Sequence, residues 1–140
     1  MSALAEGMPG RTAPGRLRVL MTVDAVGGVW RFATEVARPL RRFGVDIVLA
    51  GLGPEPSTEL LAEASRLAEV HWLALPLDWM AAGEPMLATV SPVLEQLAVE
   101  QGCDLMHLNV PSQAAGTSGR LPVVVMSHSC LPSWWAAMRG

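Results

Sequence analysis

The chain has 140 residues, the length of one domain, and its 51% hydrophobic and 16% charged residues are the composition of a chain that folds around an apolar core. All ten basic residues are arginine and tyrosine is absent, which excludes a P-loop lysine, a Schiff-base lysine for pyridoxal phosphate, the Tyr/Lys pair of a short-chain dehydrogenase and the lysine of a phosphoacceptor receiver domain. A net charge of -3 leaves no broad basic face, so nucleic acid is not an expected partner.

Residues 1–16, MSALAEGMPGRTAPGR, have neither a long apolar core nor a basic start, and are expected to form a disordered tail and not a signal peptide. The folded domain is then expected over 17–140. Leu17 to Val23 is a short apolar run of the kind found in a strand buried on both faces, and it ends at Asp24. Gly27 and Gly28 form a tight turn into a helix whose Val29, Ala33, Val36, Ala37 and Leu40 share one face while Arg31, Glu35, Arg38 and Arg42 face away. Pro39 is expected to kink this helix and Gly44 to stop it. Val45 to Ala50 is the second strand. After GLGPEPS, Thr58 to Leu67 reads as a helix with Glu59 and Glu63 toward its positive end. Val70 to Leu75 is the third strand, Pro76 to Pro85 a loop, and Met86 to Gln101 a helix bent or divided at Pro92 and stopped by Gly102. Leu105 to Leu108 and Val123 to Met126 are the fourth and fifth strands, with roughly a dozen residues between them, about the minimum for a crossover carrying a short helix. Leu121 to Met138 carries no formal charge, but Pro122, Pro132, Ser127, His128, Ser129 and Ser133 are incompatible with a lipid-facing helix.

Strands alternating with helices predict an α/β fold with a parallel sheet of order 3-2-1-4-5, helices on both faces and right-handed crossovers. In such a sheet a ligand lies outside the carboxyl ends of the strands, at the switch point between the first and fourth. The turn at Gly27 and Gly28, Asn109 and the stretch Ser127 to Ser129 all fall there.

The DAVGGVW turn opens a helix directly after a strand, where free amides and the helix dipole can hold an anion and glycine lets a phosphate or sugar approach; an ordinary structural turn reads the same way. A dinucleotide site is disfavoured, because GxGxxG spacing is missing and no acid ends the second strand. His128, in SHSCLPSWW, can hydrogen-bond a substrate hydroxyl or phosphate or move a proton, or can satisfy a loop carbonyl. His71 and His107 lie inside strands and read as structural. Cys130, two residues from His128, has no evident orienting group for a thiol nucleophile. With Cys103 it reads as a reduced thiol in a cytoplasmic protein. The histidines and cysteines do not fall at metal-ligand spacing. Trp79, Trp134 and Trp135 can stack on sugars or pack against neighbouring chain, and Arg31 can reach a phosphate above the glycine turn or stay solvated.

Together, RVLMTVDAVGGVWRFATEVARPLRRFGVDIVLAG, CDLMHLNVP and PVVVMSHSCLPSWWAAMRG resemble the N-terminal half of family 4-like retaining glycosyltransferases with the GT-B architecture. The resemblance covers Leu17 to Gly140. It implies a Rossmann-like domain facing a second one across a cleft, and transfer of a hexose from a nucleotide-diphosphate sugar to a hydroxyl acceptor with retention, with no cofactor and no required metal. It also implies that Gly27 and Gly28 lie near the donor diphosphate and that His128 is the catalytic histidine near the donor sugar; Arg31 and Asn109 are looser substrate-binding matches. Such enzymes are more than twice this length. The chain is therefore expected to be truncated, incomplete at its C-terminal end and inactive alone, with a separate C-terminal donor domain as partner; peripheral membrane association stays open. The competing expectation is a non-catalytic binding module or a subunit of a split transferase.

Overall fold

The computed structural model describes residues 15–128 and 136–138. Five parallel strands form one sheet in the order β3-β2-β1-β4-β5, the expected order. They are β1 (Leu17–Asp24), β2 (Val45–Leu52), β3 (Glu69–Trp72), β4 (Leu105–Leu108) and β5 (Val123–Val125). The helices are α1 (Gly28–Arg42), α2 (Thr58–Ser65), α3 (Glu84–Leu87) and α4 (Val90–Glu100), with 3-10 turns at Asp78–Met80 and Pro111–Ala114.

Side chains that alternate along a strand are buried on both faces. Val19, Met21 and Val23 of β1 and Ile47 and Leu49 of β2 pack with Ala33 and Ala37 of α1 and Ala64 of α2. Leu20, Val48, Ala50 and Leu52 pack on the other face with Leu94, Leu97 and Ala98 of α4 and Met106 and Leu108 of β4. This double coverage is why β1 and β2 read as unbroken apolar runs instead of alternating ones. At the far edge cover thins out, and Val124 and Val125 of β5 are exposed.

The helices obey their termini more closely than their prolines suggest. Pro39 lies inside α1 without ending it; Glu35, whose carbonyl loses its partner, is exposed and open to water. Gly44 follows the helix with φ +79, a conformation that favours glycine, and its carbonyl accepts from the Leu17 amide at 2.8 Å. Ser57 caps α2 by accepting from the Leu60 amide, with Glu59 in the first turn; Glu63 lies a turn further on, away from the positive end.

Several expected element ends move by one or two residues, and three segments differ more. The third strand runs Glu69–Trp72 and not Val70 to Leu75, although Leu73 still donates to Gly51 (2.8 Å) and Leu75 accepts from Gly53 (2.9 Å) before Pro76 turns the chain away. The expected helix from Met86 to Gln101 is divided before Pro92: α3 ends at Leu87 and α4 restarts at Val90. The restart places Pro92 within the first turn, where its missing N–H has no intrahelical partner to lose. The loop expected over Pro76 to Pro85 contains the 3-10 turn Asp78–Met80.

The β4 to β5 crossover is fastened by buried polar groups. Ser91 donates to the Gln113 carbonyl at 2.8 Å. Glu95 accepts from the Ser118 hydroxyl and amide and from the Arg120 amide. Burial pushes the Glu95 pKa up, but these donors outweigh it and hold the carboxyl below its ordinary value. At the opposite end of the sheet the Arg16 guanidinium forks onto Asp46 at 2.7 and 2.8 Å.

Candidate functional site

A cleft of about 790 Å³ opens at the carboxyl ends of the strands. Its walls are Asp24 at the end of β1 with Val26 to Val29 after it, Asn109 to Ser112 after β4, Ser127 and His128 after β5, and Asp78 with Trp79 from the 3-10 turn. Gly27, Gly28, Asn109 and His128 are thus brought to one place. Arg31 is not: it lies on the outer face of α1, its Nε 2.7 Å from Glu35 Oε1 and its side chain 82% exposed. Among the described residues the cleft lining contains two carboxylates, Asp24 and Asp78, and no arginine. Ser129, Cys130, Trp134 and Trp135 lie outside the described residues.

At the end of β1 the buried Asp24 accepts from the Val26 amide at 3.0 Å, a local turn that swings the chain from strand to helix. Gly27 is the N-cap of α1 in extended conformation; it has no side-chain cap bond, and no acid stands in the first turn. Among the described residues no side chain caps the first amides of this fifteen-residue helix, which lie at the cleft and at the positive end of the dipole. The sequence alone explains the two glycines as a tight turn. The structure gives another reason: neither has positive φ, and a Cβ built on either meets nothing within 4 Å. Their missing side chains leave open space over the amides.

Asn109 is held from below. Its amide nitrogen receives no free play, because the backbone N–H donates to Thr22 Oγ1 (2.8 Å) and Nδ2 donates to the Thr22 carbonyl (2.6 Å), while Thr22 Oγ1 donates to Gln113 Oε1 (2.7 Å). With Nδ2 committed, Oδ1 is the atom facing His128 Nε2 at 2.7 Å. An amide oxygen only accepts, so Nε2 carries the proton. In the neutral ring Nδ1 is then the lone-pair nitrogen, able to accept a hydrogen bond or a proton. Phe32, one turn along α1 from Gly28, sets its ring edge-on to His128 with centroids 4.7 Å apart. One helix therefore carries both the glycine turn and a packing surface for the histidine.

His107 lies behind, edge-on to Phe32 at 6.3 Å. Its Nε2 is buried with no hydrogen-bond partner among the described residues. Burial, and secondarily the nearby His128, push its pKa below the ordinary value. His71 is a surface partner of Glu69 at 2.8 Å. Cys103 is buried, which pushes its thiol up to about 11 and leaves it protonated and unreactive. Among the described residues no three His, Cys, Asp or Glu converge to hold a metal ion, and no helix is long and apolar enough to cross a membrane.

Sequence reasoning missed Thr22, Gln113, Phe32, Asp78 and Ser112. Thr22 had a signal, a hydroxyl near the carboxyl end of the otherwise apolar LRVLMTV. The contact of Ser112 with Asp78, 2.6 and 2.7 Å to the two oxygens, joins two loops far apart in sequence and had none.

Residues 26–139 match the model of Glycosyltransferase Family 4. No curated protein matches the chain. Among solved structures it is similar to a protein from the universal stress protein family of Burkholderia pseudomallei, with 15% identity over 82% of this chain and 98% of that one and a TM-score of 0.45. A universal stress protein from Archaeoglobus fulgidus is 17% identical over 79% of this chain and 98% of that one, with a TM-score of 0.39.

Proposed function

The chain belongs to glycosyltransferase family 4, and from that premise we propose that its cleft is one wall of a site that transfers a hexose from a nucleotide-diphosphate sugar to a hydroxyl acceptor with retention of configuration. The observation that carries this reading is the hydrogen bond between Asn109 Oδ1 and His128 Nε2, 2.7 Å long, beside an uncapped helix N-terminus in the same cleft. A glycosyl donor needs stabilisation at two points as its anomeric bond breaks, on the departing diphosphate and on the sugar that gains positive charge. The amides above Gly27 and Gly28 suit the first point. His128, oriented by Asn109, suits the second as a hydrogen-bonding group to the sugar.

Among the described residues the cleft lining contains no arginine. A diphosphate leaving group carries more charge than backbone amides alone neutralise, and Arg31 is turned away. We therefore assign the remaining diphosphate contacts to a second domain, in the same polypeptide or a separate one, and expect the 140-residue chain by itself to bind nucleotide sugar weakly and turn over none. The test is a radiolabelled UDP-glucose assay on the purified chain, with NMR mapping of weak binding. Amide shifts at Gly27 and Gly28 without turnover support the reading; hydrolysis or transfer by the chain alone overturns the division of labour. A non-catalytic sugar-nucleotide-binding module would show the same shifts, and would differ in gaining no activity when a family donor domain is added.

A further inference from the structure

We propose that Trp79, Asp78 and Ser112 form a subsite for a neutral saccharide, so that the acceptor hydroxyl of this transferase belongs to a sugar. The inference rests on the transferase reading above and adds the chemical class of the acceptor.

Trp79 lines the cleft and is 66% exposed. Among the described residues no ring stacks on it. A platform this bare needs an anchored backbone beneath it, and the residues on both sides of Trp79 are held. Leu77 before it is 2% exposed, with its side chain against Gly53. The Met80 amide after it donates to the Leu77 carbonyl at 2.9 Å, and Asp78 accepts from the Ser112 hydroxyl.

That tie leaves capacity unused. An ionised carboxylate offers about four acceptor positions, whereas one serine hydroxyl has a single hydrogen to give. Asp78 therefore presents acceptors beside an aromatic face. A pyranose has the matching layout, with a C–H face to lie on the indole and a rim of hydroxyls to donate to the carboxylate. Charge selects among ligands. With the carboxylate of Asp78 at this end and no arginine among the described lining residues, this end disfavours a phosphate and admits a neutral polyol. A bare alkyl chain would strip water from Asp78 without giving it a donor.

The test is an ¹⁵N NMR titration of the 140-residue chain with methyl α-glucoside, methyl α-mannoside and maltotriose, reading the Trp79 indole N–H and the Ser112 amide, with parallel titrations of 1-hexanol and UDP-glucose. Saccharides are expected to move both signals. Trp79→Ala should weaken saccharide binding about tenfold as read at Ser112, Asp78→Asn should weaken it as well, and Phe43→Ala, an exposed aromatic outside the cleft, should change nothing. Trp79 silent to every saccharide while Gly27 and Gly28 respond to UDP-glucose overturns the subsite and leaves the transferase reading standing. A response of Trp79 to hexanol or UDP-glucose alone also overturns it. Saccharide shifts at Trp79 with no response to UDP-glucose uphold the subsite and count against the donor assignment; silence to everything removes both.

Discussion

Replacing Gly28 with alanine separates a structural glycine from one that makes room for a ligand. Gly28 is the first residue of α1, has no positive φ, and a Cβ on it finds no atom within 4 Å. Where the native backbone accepts alanine without strain, the substitution removes unfolded-state freedom and stabilises by about 0.4–1 kcal/mol. For a chain of this size that is a rise of about 1–4 °C in Tm. The same methyl occupies the space above the helix amides, so UDP-glucose binding is expected to weaken about tenfold or more. The assays are thermal melting and the NMR titration at the Val29 amide. A Gly28→Ala protein that melts below the parent would refute the geometric reasoning, because the glycine would then serve the backbone. One that melts higher but binds UDP-glucose as well as the parent would refute the placement of the diphosphate.

Gly51 is the contrasting case: its Cβ would fall 2.1 Å from Trp72 Cε3, so Gly51→Ala is expected to cost about 1–3 kcal/mol by overpacking, measured by urea denaturation. Thr22→Val removes the hydroxyl that serves both Asn109 and Gln113 and should destabilise by about 1–3 kcal/mol; an unchanged urea midpoint would dissolve the network argued for it. Asn109→Ala should release the His128 ring from its single tautomer, seen as a change in the imidazole ¹⁵N shifts, with little effect on the shifts of His71. For His107 the sign follows from its lowered native pKa: between 6.5 and the native value the unfolded chain holds a proton that the native state lacks, so stability falls as pH drops below 6.5. His107→Leu should flatten that part of the stability profile in urea melts across pH 4–8, and an unaltered slope would contradict the assignment.

The sheet order and the grouping of Gly27, Gly28, Asn109 and His128 were legible in the sequence because strand periodicity and parallel topology are repeated signals. Once β1, β4 and β5 are placed, their carboxyl ends have nowhere else to go. Arg31 illustrates what topology does not carry. Its position on the first turn of α1 allows it to point at the cleft or away, and the choice is made by Glu35 four residues on, which draws the guanidinium along the exposed face. The glycines were found for an incomplete reason, since a turn was inferred from residue type while the backbone needs no glycine there. Thr22, Phe32 and the link from Asp78 to Ser112 depend on which side chains meet across the cleft. That is settled by packing, which no local pattern in the chain encodes.

The small residues on the inner face of α1 make that helix a lever. Ala33 and Ala37 are 0% and 2% exposed, and at 1.5 Å per residue Ala37 lies about 13 Å from Gly28. Enlarging Ala37 lifts one end of a rigid rod, and a tilt of about 5° displaces the glycine turn by about 1 Å, an error of the size that costs catalytic sites about a hundredfold. Phe32 would travel with it and shift the floor under His128. Substitutions that never touch the cleft can thus retune it, and the buried methyl groups of α1 are where a search for activity-altering variants remote from the substrate should begin.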